Sequence, residues 1–252
     1  MTPELVLPIT MSIDRRVLTR FPTLAIEAFV AGNLDRIGMA LTTEVIHQAW
    51  TDAVAGVVSR GISRTTVSGV GVVQAWRNVL AACGVPRDAC RGTVERTLSR
   101  LFEGRIGDVP LFTFCTAVAI RHLAPVSAYD IDALPTRNIC IRPSEPSSDW
   151  FLPLGARPTD VPMVNDAVVY AAGRTVVAWC FGHHESRQTC LRRNTARAVF
   201  VSEALAGDEV LNAHTALEDL RVRLASCGAY TGPAAVIDSA RPTAMLSIAD
   251  RH

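Results

Sequence analysis

The chain has 252 residues, 49% of them apolar and 19% charged, which excludes a disordered polymer and supplies apolar mass for one large core or two small ones. A formal net charge of +1 excludes a general coater of polyanions, so any nucleic-acid contact needs a local basic patch set against an acidic remainder. None of the 25 basic residues is lysine, although the planar fork of arginine still suits phosphate.

The first predicted element is a half-buried strand at LAIEAFVA (24–31), where Leu24, Ile26, Ala28 and Val30 alternate with Ala25, Glu27 and Phe29. Thr42 or Thr43 then caps a helix whose apolar stripe runs Val45, Ile46, Ala49, Trp50, Ala53, Val54 and Val57. A second helix follows Ser68 with Val72, Val73, Trp76, Val79 and Leu80 on its stripe and stops before Gly84. A third, near Thr93 to Phe102, turns Val94, Leu98, Leu101 and Phe102 inward and leaves Arg96 and Arg100 on a solvated face. PLFTFCTAVAI (110–120) is the longest apolar run and is too short to cross a bilayer. From about 137 the pattern changes to short strands, RNICIR, WFLPL, AVVYA and TVVAWCF, punctuated by Pro and Gly. Asn194 is the expected cap of a helix, TARAVFVSEALAG, ending at Gly207, and an amphipathic helix covers 210–226. The last twenty residues read as a loosely held tail. One domain, 20–228, is therefore expected between an N-terminal extension (1–19) and a C-terminal tail (229–252).

The cysteines at 83, 90, 115, 140, 180, 190 and 227 form no CxxC pair, and MTPELVLPIT lacks a charged start leading into an apolar run. A reducing, cytoplasmic setting is the expectation.

The densest chemistry lies in AWCFGHHESRQTCLRRNTAR (178–197). Cys180, His183, His184 and Cys190 have the atoms of a tetrahedral zinc site, but a strand continuing through 181 would turn the two histidines to opposite faces. No metal and no cofactor are expected. Nothing marks a cysteine as an activated nucleophile either. Glu185 follows a glycine at the end of a strand, a place where strand ends meet a cleft and a carboxylate can hold or deprotonate water.

Four stretches, in order, resemble one family. FPTLAIEAFVAGNLDR (21–36) and WRNVLAACGVPRDACRGTVERTLSRLFEG (76–104) are similar to free-standing bacterial B3/B4 domain proteins. FTFCTAVAIRHLAPVSAYDIDAL (112–134) and CFGHHESRQTCLRRNTARAVFVSEA (180–204) resemble the B3/B4 editing domain of the phenylalanyl-tRNA synthetase beta subunit. The similarity spans roughly 20–205.

This resemblance implies an α+β, B3/B4-like layered fold, a β-sandwich of unusual topology with flanking helices. It also implies a cleft that takes the 3′ end of an aminoacyl-tRNA and hydrolyses the ester of a wrong amino acid. Residue by residue, Glu185 falls on the family's water-handling glutamate, Cys115 and Thr116 on a Thr-Asn pair lining the pocket, and Ser127 on a histidine. His183 or His184 stands in for that histidine. Thr116 and Ser127, with Cys115, Ser186 and Thr189, make up the expected substrate-binding set, and Arg187, Arg192, Arg193 and Arg197, near an expected helix N-terminus, the tRNA-phosphate set. Free-standing proofreading is the first reading. An aminoacyltransferase passing the aminoacyl group to a small-molecule amine or hydroxyl is the alternative, and a non-catalytic tRNA-binding module the second. No membrane contact is expected.

Overall fold

A computed structural model describes residues 8–105, 107–155 and 166–248. Its first half contains β1 (Ile9–Ile13), α1 (Arg15–Arg20), β2 (Ala25–Gly32), α2 (Thr43–Ser59), α3 (Gly71–Ala82), α4 (Thr93–Phe102) and α5 (Pro110–His122). Then come β3 (Val126–Asp130), β4 (Asn138–Pro143), β5 (Val168–Ala172), β6 (Thr175–Trp179) and β7 (His184–Glu185). The chain continues through β8 (Ala198–Ala204), α6 (Asp208–Ser226), β9 (Tyr230–Thr231), β10 (Ala235–Ile237) and β11 (Thr243–Leu246).

The class is α+β, with two sheets and six α-helices among the described residues. The first sheet runs β11-β1-β4-β5-β6-β7, antiparallel except for the parallel β1–β4 pair. The second runs β10-β2-β8-β3, with β9 also on β2, and is antiparallel throughout. Side-chain alternation along β2 explains how the layers stack. Ile26, Ala28 and Val30 share a core with β1, β4, β5 and β6. Phe29 and Ala31 share another with α2, α4, α5 and α6, which cover the opposite face. On that face Glu27 meets His214 of α6 at 2.9 Å.

The helices expected at 43–57, after 68 and at 93–102 form, and Thr42 accepts from the Val45 amide as the N-cap; the stripes of α3 and α4 face inward, whereas on α2 Ala49, Ala53 and Val57 are buried but Val45 and Val54 are exposed. Several expectations are corrected. Strand 24–31 is buried on both faces rather than one, because β2 lies between the first sheet and the helices. WFLPL makes only isolated bridges, at Trp150 and Pro153. The helix expected after Asn194 is instead β8, which pairs with β2 over seven residues and β3 over five. AVFV is a continuous β-branched and aromatic run that fills both faces of a central strand, and this outweighs the cap-like Asn194. The described parts of the expected extension and tail carry strands: β1 pairs with β11 in the first sheet, and β9 and β10 pair with β2 in the second; 1–7 and 249–252 lie outside the described residues.

α5 has no counterpart among the expected elements. Pro110 begins it, Leu123 closes it in the left-handed region (φ 52°), and residues 113–120 are all buried. A helix enclosed on every side carries no amphipathic stripe.

Phe200 of β8 stacks on its register partner Phe29, with ring centroids 4.9 Å apart. Phe200→Ala is expected to cost about 3–5 kcal/mol in urea unfolding, with an unchanged m-value, because this fully buried site cannot collapse around the lost ring.

Candidate active site

β6 ends at Trp179, and the chain reverses into β7, so that Trp179 pairs with His184 and Ala178 with Glu185. The reversal passes through three successive left-handed residues, Cys180 (φ 48°), Phe181 (φ 52°) and Gly182 (φ 69°). For the two that carry a Cβ this costs about 1–2 kcal/mol each. Burial holds them there. The Phe181 ring packs edge-on against Phe21 and Trp76, each at 5.6 Å, and the Cys180 amide donates to the Val168 carbonyl at 2.7 Å. Gly182 is required twice over, by its φ and by space, since a Cβ there would come within 2.8 Å of Ser127 Oγ.

This reversal places His183, His184 and Glu185 on one pocket, where a continuing strand would have sent the histidines to opposite faces. The pocket, about 600 Å³ including its open mouth, is walled by Thr93, Arg96, Thr97 and Arg100 of α4 and by Phe112 and Thr116 of α5. Val126 at the start of β3 and Leu154 complete it. It sits where the edge strand of each sheet, β7 and β3, meets the helical layer.

The electrostatics separate the candidate bases. Burial raises the Glu185 carboxyl above its ordinary value of 4.5, opposed by the Arg96 charge, the Ser127 hydroxyl and the Arg100 charge. Burial also pushes His183 down to about 3, helped by the Arg96 and His184 charges, and His184 down to about 4, helped by Arg96. Both imidazoles are therefore neutral at pH 7. His183 Nδ1 donates to the Arg91 carbonyl at 3.0 Å, which leaves Nε2 as an acceptor. An imidazole held near 3 or 4 is a poor proton acceptor, and the Glu185 carboxylate is the stronger base of the three.

Of the remaining expected residues, Thr116 lines the pocket and Ser127 lies directly under Gly182. Ser127 is 3% exposed, so its hydroxyl supports the wall from behind. Cys115 is buried, its thiol raised by burial, and it packs in the helical core. Ser186 and Thr189 are fully buried outside the pocket lining, with the Thr189 carbonyl bonded by the Asp130 amide. The four expected phosphate-binding arginines are not part of the lining and do not precede a helix. Arg192 donates to the Arg187 and Gln188 carbonyls, Arg193 to the Asp108 carbonyl, and Arg197 to Asp132. Arg187 is exposed. Among the described residues no three His, Cys, Asp or Glu are grouped to hold a metal.

The placement of three residues went unread in the sequence. Arg96, expected on a solvated face, is half-buried and donates to the carbonyls of Gly182 (2.8 Å) and His183. Arg100 is exposed, as expected, but lies 5.8 Å from the Phe112 ring centroid and lines the pocket. Behind the wall, Glu203 of β8 is 1% exposed and accepts from the Tyr170 hydroxyl at 2.8 Å. Its second oxygen has no partner among the described residues, and burial raises its carboxyl to about 8. A Glu in VFVSEA, on a strand buried on both faces, was the available signal.

A scan of protein-family models returned no match to this chain, and a search of curated proteins returned none.

Glu203 gives a stability test. Its folded-state pKa of about 8 lies above the ordinary 4.5, so the fold favours the neutral acid. Between these values the unfolded chain releases the proton while the folded one keeps it, and stability falls as pH rises toward 8. Glu203→Gln keeps an acceptor for Tyr170 without the proton. Its melting temperature relative to the parent is expected to climb steadily from pH 5 to pH 8, reaching a gain equivalent to a few kcal/mol, roughly; a difference flat with pH contradicts the assignment.

Proposed function

We propose that this protein is a free-standing deacylase of B3/B4 type that hydrolyses the aminoacyl ester of mischarged tRNA. The observation that carries this reading is the meeting of Glu185, Thr116 and two neutral histidines in one open pocket, from segments far apart in sequence. Two packed sheets with a helical layer are compatible with the B3/B4-like sandwich that the resemblance implies.

The chemistry demanded is modest, because an aminoacyl ester is already activated and needs a placed water, a base and stabilisation of the oxyanion. Glu185, with its carboxyl above the ordinary range, takes the proton of the attacking water. The Thr116 hydroxyl donates its own hydrogen to the Phe112 carbonyl at 2.8 Å, so toward substrate it can only accept, which suits the α-ammonium group. In the lining, the Phe112 ring offers a stacking surface for the terminal adenine on the side not covered by Arg100, and Arg100 offers charge for its phosphate. Arg100 thus takes the role first expected of the arginines at 187–197.

Glu185→Gln is expected to slow single-turnover deacylation on the order of 10²-fold or more while tRNA affinity stays near that of the parent. Unchanged turnover removes Glu185 from the mechanism. A panel of charged tRNAs, offered in buffer and then with a metabolite pool, reads the product. Free amino acid supports hydrolysis, a new conjugate identifies an aminoacyltransferase, and neither leaves a tRNA-binding module.

The pH profile gives a second check. Glu185 acts as a base only when ionised, and its carboxyl is raised, so the acid limb of kcat/KM is expected above pH 4.5. No inflection near 6.5 is expected from His183 or His184, which titrate at about 3 and 4. An inflection there that disappears in a His184 variant contradicts this assignment.

A further inference from the structure

We infer that Arg96 is a positioning residue for Glu185: its guanidinium clamps the carbonyls of Gly182 and His183 and so fixes the left-handed reversal that presents the carboxylate to the pocket. The inference rests on the deacylase reading for its kinetic consequence alone.

The geometry is specific to a planar two-pronged donor. Nη2 reaches the Gly182 carbonyl at 2.8 Å and Nη1 the His183 carbonyl, so one side chain bridges two successive peptide groups just before Glu185. Hairpin pairing does not use these carbonyls; β6 and β7 pair only at Ala178–Glu185 and Trp179–His184. The Thr93 hydroxyl, one turn earlier on α4, adds a longer contact to Gly182 at 3.5 Å. α4 is itself anchored, since its Glu95 pairs with Arg77 of α3 at 2.5 Å and Val94, Leu98 and Leu101 are buried. The clamp thus ties the strained reversal to a rigid helix.

The same guanidinium provides the principal positive charge facing Glu185. Arg100 adds a smaller share from α4, and the Ser127 hydroxyl favours the carboxylate from β3. Glu203 on β8, Tyr129 on β3, Cys115 on α5 and Cys190 also feel the Glu185 charge. His183 and His184 are neutral neighbours on its own segment. Burial lowers Arg96 to about 10, so it keeps its charge at neutral pH.

R96Q removes both charge and fork, whereas R96K keeps the charge but cannot bridge two carbonyls with a planar group. Glutamate carboxyls are followed by carbon-detected NMR titration, with Glu185 assigned from the signal missing in E185Q, and turnover is measured on a mischarged tRNA the parent hydrolyses. In R96Q the Glu185 midpoint is expected to move up, and kcat to fall on the order of 10²-fold with a smaller change in KM. In R96K the midpoint is expected to stay near the parental one, with kcat reduced about tenfold. A folded R96Q whose Glu185 titrates as in the parent overturns the inference. If R96Q does not fold, a parental kcat in R96K overturns it. If the parent hydrolyses no charged tRNA, the proposed reaction fails, while the titration still decides the role of Arg96.

Discussion

The site depends on one backbone reversal. Cys180 and Phe181 sit in a region of backbone space that side chains disfavour, and the unfavourable conformation persists because Phe181 is buried between Phe21 and Trp76. Burying a ring of that size contributes about 1.5–3 kcal/mol, comparable to the local strain, so the core holds the turn in place. Were β6 to continue instead as an alternating strand, the two histidines would face opposite sides. Residues in the first core, Phe21 and Trp76, therefore shape the pocket wall from behind.

A second consequence is electrostatic. The reversal brings Glu185 against α4, and within range of the polar groups that β3, β5 and β8 carry into the space between the sheets. Tyr129 and Glu203 each have a side-chain oxygen without a hydrogen-bond partner among the described residues, which is costly in a core. Burial favours neutral forms throughout this cluster and neutralises the histidines, while Arg96 resists the same pressure on Glu185. Glu185 is the one carboxylate among the described residues lining the pocket.

Much of the helical layer was legible because its helices are amphipathic. Thr42 caps α2, and the stripes of α3 and α4 face inward, as their spacing requires. α5 and β8 were not legible for a shared reason: both are enclosed on all sides, so their apolar runs lack the periodicity that separates helix from strand. In the site, the cluster GHHE was visible as a run of reactive residues, but its geometry was not. Nothing in the letters Cys180 and Phe181 announces left-handed backbone, and Arg96 has the spacing of a surface residue. Its role comes from a tertiary contact with a segment almost ninety positions away, which local pattern does not encode.

The most direct test of the pocket is a co-crystal structure with a hydrolysis-resistant mimic of the tRNA terminus, adenosine bearing an amide-linked amino acid at its 3′ position. The amide carbonyl is expected beside the Glu185 carboxylate, with the ammonium on Thr116 and the adenine over Phe112. A mimic found elsewhere on the molecule, with Glu185 facing only solvent, contradicts the assignment of this pocket to the aminoacyl ester.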